Sequence, residues 1–547
     1  MKMTERNQQL KSALNTIAPV DRVQAANSVP EYDAVTLEGH PAYELSDELR
    51  LVSMLNTLKL ESQFYRNEES TMRELRELVE RVALKDPYFV AQAICWSRNV
   101  GEKMRSVNHL AAALFSPFAS GKEWAKRFYG PFNKKTQSGG CIFRPDDMRE
   151  IKDVNDTLTD SPLTSAMRKG FAAAIESFDN YQLAKYRDVI IDIANLAHPD
   201  PNKSSAEIEI EIDENTVVKM KTLDAIMNGI TVSADTWEVA NSEAGQIVAD
   251  AVKSGKLDDE EAKVVLAEAK NDNWEALLND GRLGMLAALR NIRNMMKDAR
   301  PSVIDKLCEL VSNGDVIRKS GVMPYQIDIA YEVVNSEFAN SPYASQVKDA
   351  LMKGYETSVP NLKDAMPGKT LVILDCSGSM NTACKNGRSY SLRSSCLDKA
   401  SLIAATIAKG TNGDVVCFGS YANWYTDGNN IGVFDMAQKM RSHNLGGTNF
   451  SCAFELIRNE HKVYDRIIVL SDNMCNYGLT REVYKKYIHD VCNPYIYCVD
   501  FASYGTTQFK GEKVANYFGY GYAMFDDIAS REFDPNKAIE KVREYVI

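Results

Sequence analysis

The chain has 547 residues, of which 44% are hydrophobic and 25% charged, and its formal net charge is −11. This length exceeds what one hydrophobic core usually supports, so we expect two or more domains. The acidic balance argues against a general polyanion binder, and no apolar run is long enough to span a membrane. Eleven cysteines without a CxxC pair, and a start without a signal peptide's apolar core, predict free thiols and a cytoplasmic location.

The N-terminal two thirds of the chain is predicted to be helical after a short leader. Residues 1–44 are polar with several prolines, which predicts an extended N-terminal arm. Over 45–366 helical periodicity recurs: apolar residues of 74–83 share one helix face, and Asp86-Pro87 is typical of a helix start. Short amphipathic helices with brief turns predict an irregular, HEAT-like α-solenoid.

One segment departs from the helical pattern. Glu and Ile alternate without a break over 207–213, and a second alternating run at 216–221 follows a two-residue turn. Alternation with a period of two indicates β-strands. We therefore predict a β-hairpin in which Glu faces Lys across the strands.

Residues 367–547 form the predicted second domain. The apolar run 371–374 leads into Asp375, and the run 467–470 leads into Ser471 and Asp472. Such short apolar runs are typical of buried parallel strands. Since strands alternate with helices here, the sequence predicts a doubly wound, mainly parallel α/β sheet.

The ends of these strands carry oxygen ligands. Ser377 and Ser379 follow Asp375 in a D-x-S-x-S pattern, and Thr448 lies in a Gly-Gly-Thr-Asn loop that leads into a helix. Ligands bind at the carboxyl ends of parallel strands, and carboxylate and hydroxyl oxygens suit a hard divalent cation. The alternative is a polar strand-to-helix turn that binds nothing.

The order of these residues resembles the metal-ion-dependent adhesion site (MIDAS) of von Willebrand factor A domains. In that family the corresponding positions coordinate Mg²⁺ directly or through water. The resemblance implies a divalent cation, with Mg²⁺ the expected ion. Its ligand positions would be Asp375, Ser377, Ser379, Thr448 and Asp472.

A helical solenoid followed by such a domain resembles the Ro autoantigen (TROVE) family, and the resemblance runs from about residue 45 to residue 547. The segments 61–65, 178–199, 273–292 and 322–326 carry it in the family's order. The resemblance implies a ring of helices bridged by the A domain, with no catalysis of its own.

The same resemblance implies a function in RNA binding. Structured, Y-like noncoding RNAs are expected outside the ring and single-stranded ends of misfolded RNA in its hole, in a role in RNA quality control. A nuclease and an acidic protein ligand at the metal site are further candidate partners. The chain departs from the family at the hairpin 207–221, which looks inserted, and at the long loop 385–393.

Any RNA must be bound by local cation clusters, because the helical part is acidic. Residues 367–547 hold 20 Lys and Arg against 19 Asp and Glu, which leaves 44 against 56 for the rest of the chain. Phosphate neutralisation needs cations only where the RNA strand lies. The candidate RNA-binding residues are Arg290, Arg293, Lys297, Arg168, Lys169, Lys185, Arg187, Lys103 and Arg105.

The first three of these residues fall at i, i+3 and i+7, on one helix face that we expect to line the ring's inner wall. A further cationic group surrounds aromatic residues that are candidates for stacking on bases. It comprises Lys122, Lys126, Arg127, Lys134 and Lys135 around Trp124, Phe128, Tyr129 and Phe132. The alternative for every cluster is a solvated helix face.

Two functions remain open. The first is an RNA-binding scaffold, and the second is a Mg²⁺-dependent protein-ligand module with no role in RNA binding. The sequence argues against an enzyme, because it contains no G-x-S-x-G elbow and no phosphate-binding P-loop, and Cys376 has no evident His partner.

Overall fold

The fold is taken from a computed structural model. It describes residues 19–58, 67–159, 162–213, 216–230, 248, 258–298, 300–320, 322, 324–358, 368–381, 383–384, 394–427, 431–443, 445–519 and 536–547. Residues 61–65 and 385–393, both used in the comparison with the Ro family, lie outside these ranges.

An array of helices precedes the C-terminal domain. Its helices are α1 (Pro19–Ser28), α2 (Asp47–Thr57), α3 (Glu68–Lys85), α4 (Pro87–Asn99), α5 (Ser106–Leu114), α6 (Ser116–Ala119), α7 (Ala125–Phe128), α8 (Pro145–Thr159), α9 (Ser165–Ser177), α10 (Asn180–Lys185), α11 (Arg187–Ala197), α12 (Thr222–Met227), α13 (Asp259–Asn279), α14 (Met285–Asp298), α15 (Pro301–Val311), α16 (Gly314–Ser320), α17 (Pro324–Glu337) and α18 (Ala344–Ser358). The C-terminal domain adds α19 (Cys396–Thr411), α20 (Val433–Arg441), α21 (Phe450–Asn459), α22 (Thr480–Asp490) and α23 (Lys537–Arg543).

Strands occur in both parts of the chain. The helical array contains β1 (Ala34–Val35), β2 (Pro41–Glu44), β3 (Phe132–Asn133), β4 (Ser138–Gly139), β5 (Glu207–Asp213) and β6 (Thr216–Lys221). The C-terminal domain contains β7 (Thr370–Asp375), β8 (Ala383–Cys384), β9 (Ser394–Ser395), β10 (Asp414–Phe418), β11 (Ala422–Trp424), β12 (Arg466–Ser471), β13 (Tyr495–Asp500), β14 (Thr506–Thr507) and β15 (Val514–Phe518). Short 3₁₀ helices cover Pro201–Lys203 and Gly378–Asn381.

Polar caps fix where several helices begin. The side chains of Ser46, Asn67 and Thr164 each accept a hydrogen bond from the backbone N–H three residues further on. Asp86 caps α4 in the same way, with Pro87 at the first helical position, so the predicted helix start is confirmed. Each such cap contributes about 1 kcal/mol to helix stability.

The predicted hairpin is also confirmed. Strands β5 and β6 pair antiparallel, with Glu207 opposite Lys221 and Glu209 opposite Lys219. The carboxylate and ammonium groups of these two pairs lie 2.7 and 3.3 Å apart. Both pairs are open to solvent, so they fix register more than they stabilise the fold.

The main sheet of the C-terminal domain has six strands, in the order β11-β10-β7-β12-β13-β15. All neighbouring pairs are parallel except the edge pair of β10 and β11, which confirms the predicted doubly wound, mainly parallel sheet. From the central strand β7, the chain goes first to one side and then to the other. The crevice at the carboxyl ends of β7 and β12 is therefore the switch point where such folds bind ligands.

Both faces of this sheet are apolar. Strand β7 is buried along its whole length, with Leu371 and Ile373 on one face and Val372 and Leu374 on the other. The first face packs against α21 and α22, and the second against α19 and α20.

The core on the second face of the sheet continues into the last helices of the array. Phe434 of α20 lies 4.5 Å from the ring centre of Tyr331 and 4.8 Å from that of Tyr355. Lys399 of α19 forms an ion pair with Asp328 of α17, and the two side chains are only 3% and 10% exposed. The end of the array and the C-terminal domain thus share one continuous core.

The C-terminal domain also contacts the beginning of the array. Strand β14 pairs with β2, and α23 packs against α2 and α4. The side-chain amide of Gln92 donates hydrogen bonds to the carbonyl oxygens of Arg543 and Tyr545. Because the domain packs against both ends of the array, the chain forms a closed circuit of contacts.

The expectation of an extended N-terminal arm is wrong for residues 19–44. Helix α1 packs against α22, and Ala26 and Val29 join the core beneath the sheet. Arg22 donates a hydrogen bond to the carbonyl oxygen of Val491 at 2.5 Å. Long-range contacts, rather than local periodicity, hold this polar segment in place.

A buried charged cluster joins α4, α5 and α8. Arg98 donates to both carboxylate oxygens of Asp147 at 2.8 Å, and His109 bridges Asp147 and Glu150 at 2.9 Å each. Burial would raise the pKa of Asp147, but the charge of Arg98 and the hydrogen bond from His109 hold it well below its usual value. The cluster is therefore ionised and internally paired.

The buried ion pair between the two parts of the chain gives a stability prediction. Asp328→Ala leaves the ammonium group of Lys399 buried without a counter-ion, which we expect to cost about 3–5 kcal/mol. The shift of the urea unfolding midpoint measures this cost. Replacing both residues, as Asp328→Leu with Lys399→Met, should recover most of it, because an apolar pair of similar volume needs no counter-ion.

A matched control lies at the same interface. Glu356 pairs with Lys409 at 3.1 Å, but both side chains are well exposed. Glu356→Ala should therefore cost less than about 1 kcal/mol. Equal effects of Asp328→Ala and Glu356→Ala would contradict the role assigned to the buried pair.

Candidate functional site

The first part of the candidate site is the turn that follows β7. Asp375 ends the strand and is fully buried, and its Oδ1 accepts a hydrogen bond from the backbone N–H of Ser377 at 2.9 Å. The hydroxyl oxygens of Ser377 and Ser379 lie 3.2 Å apart, and both side chains are buried. Three oxygen-bearing side chains of the D-x-S-x-S pattern therefore lie together at the carboxyl end of the sheet.

The second part is the loop before α21. Its backbone bonds to the first turn twice: Gly378 N–H donates to the Gly446 carbonyl at 2.9 Å, and Leu445 N–H donates to the Cys376 carbonyl at 3.2 Å. Gly446 has φ +80° and faces the Ser420 hydroxyl closely, so a side chain there would be strained. These contacts place the buried Thr448 beside the turn.

The third part is the end of β12. Ser471 donates a hydrogen bond to Oδ2 of Asp375 at 2.5 Å, which ties the two strands together beyond their backbone pairing. Oδ1 of Asp472 accepts from the backbone N–H of Met474 at 3.1 Å, and the neighbouring Ser379 hydroxyl acts to lower the pKa of its carboxylate. The structure thus brings Asp472 to the same turn as Asp375.

The electrostatics of this arrangement are unfavourable without a cation. Burial raises the pKa of Asp375, although hydrogen bonds from Ser471 and Ser377 oppose the change. Burial, and next the charge of Asp375, raise the pKa of Asp472 to about 8. Neither carboxylate forms an ion pair within the part of the chain that the structure describes.

The donor set fits a divalent cation. Oδ2 of Asp472 is buried and has no hydrogen-bond partner among the described residues, which is costly unless a proton or a cation compensates it. No group of three or more His, Cys, Asp or Glu suited to a metal occurs in the described ranges. A cation here would therefore depend on the hydroxyls of Ser377, Ser379 and Thr448 beside the two carboxylates, a set typical of a hard ion.

The predicted stripe on α14 is only partly available to a ligand. Arg290 and Lys297 are exposed. Arg293 forms a two-point ion pair with Glu337 of α17, with Nε 2.6 Å from Oε2. Because this carboxylate already offsets its charge, Arg293 is a weaker phosphate ligand than the sequence indicated.

Two of the three shorter pairs also contain a residue with a protein partner. Arg105 bonds to Asp146 and Glu150, at 2.9 and 2.6 Å. Lys185 donates to the Tyr181 hydroxyl at 2.7 Å and lies over its ring. The remaining members of these pairs are Lys103, which is exposed, and Arg187, which is half-buried.

The proposal that aromatic residues near 124–132 stack on bases is wrong for two of the four. Phe128 and Tyr129 are fully buried and pack in the core of the array. Trp124 stacks on Phe115 with ring centres 6.0 Å apart. Their periodicity reflects core packing, as aromatic stripes in helices often do.

Two of the five cations around these aromatics, Lys126 and Arg127, line a cleft of about 560 Å³. Its walls come from α7, the segments just before β3 and at the end of β4, α9, and the end of α11 with the residues that follow it. The cationic lining residues, all exposed, are Lys126, Arg127, Lys169 and Lys203, and the exposed His198 lies beside them. The acidic lining residues are Glu176 and Asp200.

Sequence reasoning found Lys126, Arg127 and Lys169 as members of separate clusters but missed Lys203. The structure brings together residues from 126 to 203 that no helical periodicity connects. His198 ends α11 with φ +53°, a left-handed conformation that is uncommon for a residue other than Gly. This left-handed conformation is a local indication that position 198 is unusual, and it can be recognised only in the structure.

The fold defines a class: a helical array joined at both ends to an α/β domain of the von Willebrand factor A type. No family model matches the sequence, and no curated protein matches it.

Among solved structures, the chain is similar to the Ro (RSR) protein of Deinococcus radiodurans. The TM-score is 0.52 at 16% sequence identity, and the match covers 89% of this chain and 99% of that one. The expected Ro-type architecture is therefore confirmed at the level of the fold. Within the described residues, every helix falls short of the length and apolar character that crossing a bilayer requires.

The candidate metal centre gives a prediction about Mg²⁺. The intact chain should be thermally stabilised by MgCl₂, and Asp375→Asn should abolish the effect because it removes a ligand carboxylate. Asp414 lies at the amino end of β10, at the end of the sheet opposite the candidate site. Asp414→Asn removes the same charge there and should leave the stabilisation by MgCl₂ unchanged. Stabilisation that survives Asp375→Asn would show that the cation binds elsewhere.

The affinity for Mg²⁺ should also depend on pH. Since the pKa of Asp472 is raised to about 8, a proton competes with the cation below that pH. Affinity should rise by about tenfold per pH unit up to about pH 8 and then level off, because binding displaces one proton. Calorimetric titrations across this range measure the slope. An affinity that does not change with pH would contradict the buried carboxylate pair.

Proposed function

We propose that this protein is a non-catalytic RNA-binding scaffold that holds noncoding RNA on its helical array. The cationic cleft is the observation that carries the proposal, and the Ro-type fold supports it. A role in RNA quality control, with single-stranded ends and structured Y-like RNA as ligands, is the finer form of the same proposal. We also propose that the A-type domain holds Mg²⁺ at Asp375, Ser377, Ser379, Thr448 and Asp472.

The cleft suits a phosphate backbone because its cations are accessible. Lys126 and Lys169 form no ion pair with the part of the chain that is described, and Lys203 approaches Asp200 only to 4.0 Å. Elsewhere on the array, Arg105 and Arg293 are neutralised by carboxylates at 2.6–2.9 Å. In a chain of net charge −11, the cations without close acidic partners decide where a polyanion binds.

Small residues line two sides of the cleft. Gly130, Gly139 and Gly140 form one side, and Ala172 and Ala173 of α9 form the other. A Cβ atom added to Gly140 would lie 2.3 Å from the carbonyl oxygens of Arg127 and Gly130, so no larger residue fits there. Packing within the protein therefore requires a glycine at position 140.

The left-handed backbone conformation of His198 further supports a binding site in the cleft. This conformation costs roughly 1–2 kcal/mol for an L-residue other than Gly, and such outliers concentrate at functional sites. Here it ends α11 at the wall of the cleft. The imidazole is exposed and can act as a hydrogen-bond donor to phosphate or base.

The chemistry of the motif supports a scaffold rather than an enzyme. Cys376 lies within the D-x-S-x-S turn, but its hydrogen bond to Cys417 and its burial raise its pKa, so it remains a thiol. The ten cysteines that the structure describes are all free.

A second candidate function is a protein-ligand module at the metal centre. The observation that favours it is an exposed apolar rim around the site. Tyr421 is 54% exposed, Tyr477 40% and Leu479 69%. A partner with an acidic side chain would then complete the metal coordination and cover these residues. The ratio of absorbance at 260 and 280 nm of the purified protein separates this function from RNA binding.

The cleft gives the test of the RNA proposal. Changing Lys126, Lys169 and Lys203 together to Gln removes three cations and keeps long side chains. We expect weaker binding of a labelled single-stranded RNA. The slope of log affinity against log salt should shrink by up to about two units, at ~0.7 per lost phosphate contact.

The α14 stripe provides a control with the same change in charge. Arg290, Arg293 and Lys297 changed together to Gln should weaken binding less, because Arg293 is already paired with Glu337. A loss confined to the stripe variant would place the RNA along α14, as the sequence predicted. No RNA binding by the unaltered protein would overturn the proposed function.

A further inference from the structure

Residues 543–547, which begin at the end of α23, form a segment that we call the strap. Tyr545 and Ile547 are 6% and 8% exposed, and both belong to the core of the helical array. The side-chain amide of Gln92 in α4 donates to the carbonyl oxygens of Arg543 and Tyr545, at 2.7 and 2.8 Å. The strap is therefore embedded in the array, although it belongs to the C-terminal domain.

The strap forms hydrogen bonds with one wall of the cationic cleft. Gly139, which lines the cleft, donates its N–H to the Val546 carbonyl at 2.8 Å, and its own carbonyl accepts from the Tyr545 hydroxyl at 3.0 Å. Nδ2 of Asn99 donates both to the Tyr545 hydroxyl oxygen, at 2.9 Å, and to the Gly140 carbonyl, at 2.8 Å. The Tyr545 hydroxyl thus links the strap and α4 to Gly139 and Gly140, which we call the glycine wall.

The strand ladder beside the glycine wall is short. Strands β3 and β4 pair over only two residues each, and an isolated two-stranded ladder is marginally stable. Gly139 has φ +112°, a conformation that glycine adopts readily but that must be held against its high backbone freedom. Bonds from outside the ladder therefore contribute to the shape of the wall, and the strap supplies two of them at Gly139.

The strap also contacts one of the cations in the cleft. Nε of Arg127 donates to the Ile547 carbonyl at 3.3 Å, and both residues line the cleft. This bond uses one of the five N–H donors of the guanidinium group. It restricts the side chain before a ligand binds, which reduces the entropy that phosphate binding would otherwise cost.

The start of the strap is anchored to the array by a charged side chain. Arg543 pairs with Asp86 at 2.9 Å, and its guanidinium lies 4.7 Å from the ring centre of Phe89. Helix α23, which ends at Arg543, packs against α2 and α4. One continuous stretch of backbone thus makes both the contacts that dock α23 on the array and the bonds to the glycine wall.

We propose that the strap regulates the cleft: it holds the glycine wall and Arg127 in the arrangement that binds RNA, and so couples RNA binding to docking of α23. This inference rests on the proposed RNA-binding function. Release of the strap from the array weakens RNA binding, whatever causes the release. By thermodynamic linkage, RNA in the cleft stabilises the docked strap by the same factor.

Removal of one hydroxyl group tests the proposal. Tyr545→Phe keeps the buried ring and the backbone bonds of the strap, but it removes the link to Gly139 and Asn99. The affinity of the full-length chain for a labelled single-stranded RNA should fall by about three- to tenfold, as expected for one net hydrogen bond. Tyr487→Phe is the matched control and should leave the affinity unchanged. That tyrosine is also buried, and its hydroxyl donates to the Lys462 carbonyl at 2.8 Å in the core beneath the sheet.

Hydrogen–deuterium exchange of the same proteins measures the coupling. Saturating RNA should slow amide exchange over 537–545 in the unaltered chain. These residues lie outside the lining of the cleft, so slower exchange there reports coupling rather than direct cover by RNA. Without RNA, segments 138–141 and 537–545 of Tyr545→Phe should exchange faster than those of the unaltered chain.

The possible results separate the inference from the proposed function. If Tyr545→Phe binds RNA as tightly as the unaltered chain while the triple Gln variant of Lys126, Lys169 and Lys203 binds weakly, the inference fails alone. Equal losses in Tyr545→Phe and Tyr487→Phe, or exchange over 537–545 that RNA does not change, also overturn it. If the unaltered chain binds no RNA, the proposed function and the inference fail together. Should circular dichroism show that Tyr545→Phe does not fold, Asn99→Leu, which removes the other partner of the hydroxyl, takes its place.

Discussion

Both faces of the parallel sheet are apolar and must be buried by helices. The rest of the structure depends on which helices cover each face. On one face, α21 and α22 complete a core to which α1 adds its buried residues. On the other, α19 and α20 are themselves packed against α17 and α18. The domain therefore fixes the far end of the array through its core and the near end through β14 and α23. The buried pair of Lys399 and Asp328 is the polar element within this apolar contact.

Much of the fold was readable from the sequence because the signals were local. The strand ending in Asp375, the hairpin 207–221 and the helix start at Asp86 each follow from periodicity or capping, and each is found in the structure. The polar segment 19–44 gave no such signal. Its helix is held by contacts with residues more than 400 positions away, such as that of Arg22 with Val491.

The two candidate sites also differed in how far the sequence could predict them. The residues of the metal centre follow a short motif on strand ends, so topology alone brings them together. The cationic cleft joins residues from helices and turns that are distant in the chain, so Lys203 was missed. Sequence reasoning could count the charge of Arg293 but could not see Glu337 opposite it. The ion pairs formed in the folded chain determine which cations remain available to bind a polyanion. In an acidic protein, these available cations determine where the polyanion binds.

The central claim is that RNA is bound at the cleft formed by α7, α9 and the end of α11. Photocrosslinking of a single-stranded RNA that carries 4-thiouridine, followed by mass spectrometry of the crosslinked peptides, tests it most directly. The account predicts crosslinks in segments 125–140, 165–177 and 197–203. Crosslinks confined to 285–298 or to the C-terminal domain would contradict it.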